Sequence, residues 1–258
     1  MPRWFLVHDE SPLSPEENMA RDEYLFQRCH HEKSGFLRIY AWKIPSFSFG
    51  VSQKIEKALD LDVIRSGGMA FVRRITGGKT VLHDDEITYA VASSEDVFYQ
   101  DHDLYRSYML ISRVLVAAFR RLSIHATLAQ ADPRGLARSD QPCFSFPTPN
   151  EIEVNGKKII GSAQKRDKQA LLQHGSIPIT MDHRRYADGA RYEAPALRRS
   201  MTTLREVSDA GRSELVRALV DSFEEFLQMP LERTEIDDEK DISPLRRKYA
   251  SRDWNFRL

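Results

Sequence analysis

The chain has 258 residues, with 38 Lys and Arg against 38 Asp and Glu, 41% hydrophobic and 29% charged residues, and two cysteines. That length spans one large domain or two small ones and buries most of its apolar surface on folding. Zero formal net charge argues against a dedicated nucleic-acid binder. The longest strictly apolar run, Val114–Phe119, is far shorter than the roughly 20 residues of a membrane span, and two cysteines without metal-ligand spacing exclude a zinc ribbon or a disulfide scaffold. The opening Met1-Pro-Arg-Trp-Phe-Leu-Val7 lacks the apolar region of a signal peptide, so a cytoplasmic protein without a membrane partner is expected.

In chain order, Ser14-Pro15-Glu16-Glu17 opens a helix to about His31, with Ser14 as cap, Pro15 at the first helical position and Glu17 closing a capping box. Cys29 shares the apolar side of that helix with Leu25 and Phe26 and reads as a small buried hydrophobe. From Phe36 to Trp42 the residues alternate, Leu37, Ile39 and Ala41 on one face and Phe36, Arg38, Tyr40 and Trp42 on the other, which predicts a strand. Phe47–Phe49, Met69–Arg74, Thr80–His83 and Glu86–Ala92 read as further strands, with a tight turn at Gly77-Gly78. Leu104 to Leu122 keeps the helical period without a gap. A short strand over Ile124–Leu128 leads into a polar loop, 130–141, and then Pro142-Cys143-Phe144-Ser145-Phe146-Pro147. Asn155-Gly156 joins 151–154 to 157–160 as a hairpin. A strand over Ala170–Pro178, a helix over Ser213–Met229 and a short terminal helix starting at Ser243-Pro244 complete the reading. The whole is one α+β domain over 1–258, with a helical C-terminal part from about 202.

Charge is unevenly placed. Residues 54–79 and 157–168 are rich in Lys and Arg, and both runs flank glycine turns, which suits an anionic ligand such as a phosphate, pantetheine or nucleotide, or else a solvated basic surface. Residues 232–241 are acidic. Cys143, between a proline and an aromatic ahead of the hairpin, reads either as a nucleophile or as a packed thiol. As a nucleophile it needs a nearby cation or base, because a free thiol with a pKa of about 8.5 is mostly protonated at neutral pH. Lys158 and His83 are the candidates. His30, His31 and His183 read as solvated or capping residues, His83 and His174 as strand-end residues, and no histidine pair has metal spacing. A phosphate-binding P-loop, a dinucleotide G-x-G-x-x-G and a hydrolase G-x-S-x-G are absent.

The run Arg73-Arg74-Ile-Thr-Gly77-Gly78-Lys79-Thr-Val-Leu-His83-Asp84-Asp85-Glu86-Ile-Thr88-Tyr89 resembles the R-R-x-x-G-G-[GR]-x-V-x-H-x-x-E-[LI]-T-Y signature of the biotin/lipoate protein ligase and octanoyltransferase superfamily. A second block, Lys157-Lys158-Ile-Ile-Gly161-Ser162-Ala163-Gln164, followed by His174-Gly175-Ser176, resembles its [RK]-K-[VI]-x-G-S-A-Q block. Weaker echoes are Asn18-Met19-Ala20-x-Asp22-Glu23, Arg38-x-Tyr40-x-Trp42 and the closing Tyr249 to Asn255. The resemblance implies a mixed β-sheet flanked by helices, as in the catalytic domains of biotin synthetases and class II aminoacyl-tRNA synthetases. Cys143-Phe-x-x-Pro147 looks like the cysteine block of the second type of octanoyltransferase, whose thiol precedes the lysine motif. Position 79 departs from that type, with Lys where Arg is usual, which keeps charge but not bidentate reach.

By this resemblance the chain takes octanoyl from acyl carrier protein onto Cys143 and passes it to a lysine of a lipoyl domain, such as the glycine cleavage H protein or a 2-oxoacid dehydrogenase E2. Lys158 would stabilise the thiolate, help polarise the carbonyl and help deprotonate the incoming lysine. Arg73, Gly77, Gly78, Lys79, His83, Gly161, Ser162, Ala163 and His174 would bind the substrate, with Phe71, Val81 and Ile160 as candidate walls of the acyl slot. No cofactor or metal is implied. The alternatives are an ATP-dependent lipoate-protein ligase, which needs ATP and Mg but not Cys143, an octanoyl amidotransferase between lipoyl-bearing proteins, and a non-catalytic carrier-binding module.

Overall fold

In the computed structural model, which describes residues 3–94, 98–99, 104–129 and 151–258, the central strands are buried along their whole length. The elements run β1 (Arg3–His8), α1 (Pro15–His31), β2 (Ser34–Tyr40), β3 (Ser46–Phe49), α2 (Ile55–Ala58), α3 (Leu61–Ser66), β4 (Ala70–Arg73), β5 (Val81–His83) and β6 (Glu86–Ser93). They continue with α4 (Leu104–Arg121), β7 (Thr127–Leu128), β8 (Ile152–Val154), β9 (Lys157–Lys158), β10 (Gly161–Arg166) and β11 (Leu171–Pro178). The remainder is α5 (His183–Ala190), α6 (Ala194–Ser200), α7 (Leu204–Val207), α8 (Arg212–Leu227), β12 (Glu232–Arg233), α9 (Glu239–Ala250) and α10 (Arg252–Asn255).

The main sheet has the order β10-β11-β6-β2-β1-β12. It is mixed: β1 runs parallel to β2 and β12, while β2, β6, β11 and β10 pair antiparallel in turn. Both faces are covered, so the period-2 alternation divides the central strands between two apolar cores. Leu37, Ile39, Tyr89 and Val91 face a core shared with Ile111, Leu115, Leu219 and Phe223 of α4 and α8. Phe36, Tyr40, Ala90 and Ala92 face a second core with Leu25 and Phe26 of α1 and Ile242 and Tyr249 of α9. A small sheet, β4-β3-β5, packs with α3, α5 and α6 around Phe47 and Phe49. The β7-β8-β9 meander forms a third.

Most predicted elements are present. Asn155 and Gly156 have φ of 53° and 74°, the left-handed pair that a two-residue hairpin turn requires. Cys29 is buried, with its thiol against Ser34 O at 3.6 Å. Corrections fall at ends and in short pieces. The second strand stops at Tyr40, and Trp42 makes only a bridge to Leu13. Ile124 and Ala126 are core residues ahead of a two-residue strand. Ser14 caps α1, but the Glu17 carboxylate pairs with Arg21 and Arg246 instead of closing a capping box. The last long helix starts at Glu239, and Pro244 lies inside it because a full turn forms first, with Ile242 N donating to Asp238 O. His183 is buried, and Asp182 is the cap of α5. The expected loop at 130–141 and the Pro142–Pro147 segment lie outside the described residues.

The C-terminal segment is tied to the middle of the chain by Arg73. Its backbone N–H donates to Asn255 Oδ1 at 2.7 Å, its Nε to Trp254 O at 3.0 Å and its Nη2 to Asn255 O at 2.8 Å. Its Nη1 donates to Val51 O and Gln53 O at 2.9 and 2.7 Å. Asn255 Nδ2 in turn donates to Tyr249 O and Ser251 O. Asn255→Ala removes the acceptor of the buried Arg73 N–H and the side-chain donor to Tyr249 O and Ser251 O, and is expected to lower stability by about 1–3 kcal/mol, measured as a shift of the urea midpoint at unchanged m; an unshifted midpoint would remove Asn255 from this role.

Candidate functional site

The face of the main sheet that carries Arg38 and Tyr40 also carries buried charge. Arg38 is fully buried; its Nη1 donates to Asp22 Oδ1 and its Nε to Asp9 Oδ2, both at 2.7 Å, and its Nη2 to Asn18 Oδ1 at 2.8 Å. The other Asp22 oxygen accepts from Tyr40 Oη at 2.8 Å and lies 2.8 Å from His174 Nδ1. His174 Nε2 is 2.7 Å from Thr76 Oγ1, which joins this network to the loop containing Gly77-Gly78. Burial pulls the His174 imidazole below its ordinary value, so at neutral pH it is uncharged. Burial alone would raise Asp22, but Arg38, His174 and Tyr40 outweigh it and keep the carboxylate ionised.

Arg74 holds the glycine loop. Its Nη2 donates to Gly77 O and Lys79 O, both at 2.7 Å, its Nε to Thr76 Oγ1 and its Nη1 to Ser48 Oγ. Gly78 has φ of +85°, and a Cβ at Gly50 would stand 2.2 Å from Gly78 O, so the loop lies against the end of β3. Ser48 Oγ is also 2.8 Å from His83 Nε2. The His83 ring stacks on Trp42 at 4.0 Å between centroids, and its Nδ1 is 3.0 Å from Glu86 Oε1. The Glu86 carboxylate accepts from Thr88 and Ser176, and Trp42 Nε1 donates to Thr88 Oγ1 at 2.9 Å.

These groups enclose a cavity of about 20 Å³ lined by Met19, Trp42, Arg74, Val81, His83 and His174, together with Gly161, Ser162 and Ala163. Ala163 pairs with His174 across β10 and β11, and Ser162 with Gly175. A Cβ at Gly175 would stand 2.6 Å from the Tyr89 ring, so only glycine lets Tyr89 reach Ser162 Oγ, at 2.8 Å. Burial pushes the Tyr89 hydroxyl up to about 12, and it stays a neutral donor. A larger depression of about 740 Å³ lies on the β1–β2–α8 side; Tyr40, Trp42 and Asp84 line it, but none of the described residues predicted to be catalytic or substrate-binding does.

The structure brings together His83, Gly161, Ser162, Ala163, His174 and Val81, and places the Gly77–Lys79 backbone around Arg74. Arg73 is not among the lining residues; its guanidinium serves backbone carbonyls on the other side of β4, and Arg74 is the arginine at the cavity. Phe71 packs against Phe49 and Phe256, and Ile160 belongs to the core under α4, so of the three apolar wall candidates only Val81 lines the cavity. His174 is mid-strand in β11, not at a strand end. Lys158 is buried in the hairpin, paired with Glu151. Cys143 lies outside the described residues. The residues that sequence reasoning did not select are Asp22, Arg38, Arg74, Glu86, Thr88 and Glu151. The first two had a signal in the Asn18–Glu23 and Arg38-x-Tyr40 echoes, and Arg74, Glu86 and Thr88 lie in the first block, whereas Glu151 had none. Among the described residues no cluster of three or more His, Cys, Asp or Glu side chains is arranged to hold a metal ion.

A mixed sheet covered by helices, with the glycine loop and β10–β11 meeting at one cavity, is the class II synthetase-like catalytic fold of lipoate-protein ligases. Two solved structures share it: a T. acidophilum lipoate protein ligase with bound lipoic acid (TM-score 0.83, 23% identity, 100% of this chain and 99% of that one) and lipoate-protein ligase A bound with ATP (TM-score 0.81, 24% identity, 99% and 98%). The profile of the lipoyl protein ligase A/B catalytic domain matches residues 14–224, and the chain belongs to that family. Its similar relatives include octanoyltransferases LipM of Kyrpidia tusciae (34% identical, 100% of both chains), Bacillus anthracis (34%, 99% of this chain and 98% of the relative) and Bacillus subtilis (32%, 96% of both).

The buried histidine has a pH signature. An unfolded His174 takes up a proton near 6.5, while the folded one resists it. Its contribution to stability is therefore complete above about pH 6.5 and declines as pH falls toward the lower folded value. The expected result is that His174→Gln flattens this part of the stability curve in urea melts between about pH 5 and 8; an unchanged pH dependence would show that His174 does not carry it.

Proposed function

We propose that the chain carries octanoyl from acyl carrier protein to a lysine of a lipoyl domain through a thioester on Cys143. Octanoyl transfer for protein lipoylation follows from the end-to-end relationship to octanoyltransferases, and the chain is an acyltransferase. The observation that supports this chemistry best is the meeting of both sequence blocks at one cavity, His83 from the first and Gly161, Ser162 and Ala163 from the second, with Lys158 buried in the strand just before Gly161. We read residues 1–258 as one catalytic domain.

The reaction has two steps. The Cys143 thiolate attacks the octanoyl-pantetheine carbonyl, the C–S bond to pantetheine breaks, and the departing thiolate takes a proton from the Lys158 ammonium. The acceptor lysine then enters as a neutral amine and attacks the new thioester; its nitrogen loses a proton to the Lys158 amine, the C–S bond to Cys143 breaks, and thiolate and ammonium are restored. Exchange of one thioester for another is nearly isoenergetic, so this route draws no energy from ATP and needs no cofactor. Backbone donors and the Lys158 ammonium would stabilise the developing oxyanion. His83 and the glycine loop, with Lys79 at its end, would border the acyl and pantetheine site. An eight-carbon chain exceeds the cavity described, so side chains such as Met19 would move aside on binding. Acceptors would be the lipoyl domains of H protein and E2, and the cytoplasm is the expected compartment.

Cys143→Ala is expected to abolish octanoyl transfer while leaving the thermal midpoint unchanged; a Cys143→Ala protein that still transfers would refute the thioester route. Lys158→Ala is expected to slow alkylation of Cys143 at pH 7 by about tenfold or more, since an adjacent cation lowers a thiol's pKa by at least about one unit. Equal alkylation rates would take Lys158 out of the thiolate's surroundings.

A further inference from the structure

Lys158 is 2% exposed and Glu151 5% exposed, and the Lys158 ammonium donates to Glu151 Oε1. The backbone around both is fixed. Ala129 N donates to Glu151 O at 2.7 Å, Ile159 N to Ile152 O at 3.0 Å and Thr202 N to Lys158 O at 3.0 Å, while Glu153 stands opposite Lys158 in the hairpin register. With the Cα positions pinned on three sides, the remaining freedom of the lysine amine lies in its side-chain torsions, and the carboxylate at its tip restricts those. Glu151 Oε2 is buried without a hydrogen-bond partner among the described residues. A purely architectural ion pair would be expected to have its second oxygen satisfied as well, and a buried acceptor left open calls for a reason.

We propose that Glu151 is the positioning residue of the transferase, its carboxylate holding the Lys158 nitrogen at the reacting centre through both half-reactions. The inference rests on the reading that Lys158 exchanges protons with the two thiolates and the acceptor amine. In that cycle the Lys158 nitrogen alternates between ammonium and amine. A carboxylate accepts an N–H from either form, so the nitrogen stays in place when its charge changes. It also supplies the counter-charge without which a buried lysine tends to lose its proton and with it the ability to stabilise a thiolate. The open Oε2 gives the nitrogen a second acceptor, so it can turn one N–H toward sulfur while keeping another on the carboxylate. The arrangement follows the general logic in which a base beside a nucleophile is oriented by a third group.

The test is a double-mutant cycle on octanoyl transfer from octanoyl-acyl carrier protein to an E2 lipoyl domain, with Glu151→Gln, Lys158→Met and the pair, and Glu151→Asp as the conservative variant. Misplacing a reacting group by about 1 Å costs about a hundredfold in rate. Glu151→Gln is expected to lower kcat by about ten- to a hundredfold with KM for the carrier substrate unchanged. Glu151→Asp should recover part of the loss, and Glu151→Gln should have no further effect on the residual transfer of Lys158→Met. Wild-type kcat in Glu151→Gln, or the same fold loss in both backgrounds, would overturn the proposal. If Glu151→Gln fails to fold, Glu151→Asp decides, since a reduced kcat at unchanged KM supports the role and a wild-type kcat refutes it. A Lys158→Met enzyme with wild-type kcat would instead refute the underlying reading of Lys158.

Discussion

Charge cannot be buried alone, and this constraint shapes the face of the sheet that carries the cavity. Arg38, fully enclosed between α1 and the sheet, is stable there only because Asp9 and Asp22 approach it at 2.7 Å and Asn18 supplies further acceptors. Those partners come from the end of β1 and from α1, so the ion pairs fix how the helix lies on the strands. Asp22 then has an oxygen left, and Tyr40 and His174 take it. His174 passes the order on to Thr76, and Thr76 to Arg74 and the glycine loop. The geometry of a loop on the small sheet is thus set by a guanidinium buried against the large one.

The two adjacent arginines of the first block divide this labour. Arg73 is the last residue of β4 and Arg74 the first beyond it, and in extended backbone neighbouring side chains point to opposite faces. Arg74 turns toward the cavity and gathers the carbonyls of its own loop, whereas Arg73 turns away and gathers those of the Gly50–Gln53 segment and the C-terminus. The C-terminal helices therefore support the cavity-bearing face at second hand, through Arg73 and through Lys248 and Tyr249, which bond to Glu23 of α1.

Much of this was legible in the sequence where a period or a turn chemistry was strong. The split of Leu37 and Ile39 from Phe36, Arg38, Tyr40 and Trp42 is visible as alternation and is the division between the two cores. Asn155-Gly156 announced its hairpin because few residue pairs tolerate two left-handed positions. Both blocks meet at the cavity, yet sequence order alone could not say which arginine faces it, since the parity of β4 relative to its neighbours is a tertiary fact. The strands β1, β10 and β12 escaped notice, the last two being the edges of the main sheet. Arg3–His8 lies in an opening segment read only for its lack of a signal peptide, Gly161–Arg166 is polar and half-exposed, and Glu232–Arg233 is two charged residues that pair only because β1 is beside them. Glu151 was hidden for a similar reason: an acidic residue before a strand carries no periodic signal, and its partner becomes evident only when the hairpin folds Lys158 back onto it.

The central claim is that acyl energy enters as a thioester and is held on this chain's own thiol. Intact mass spectrometry after mixing the protein with octanoyl-acyl carrier protein, without ATP, tests it most directly. The expected result is an octanoyl adduct that hydroxylamine removes and that maps to Cys143. No adduct from the carrier, together with an acyl-adenylate formed from free octanoate or lipoate and Mg-ATP, would contradict it and mark the chain as a ligase.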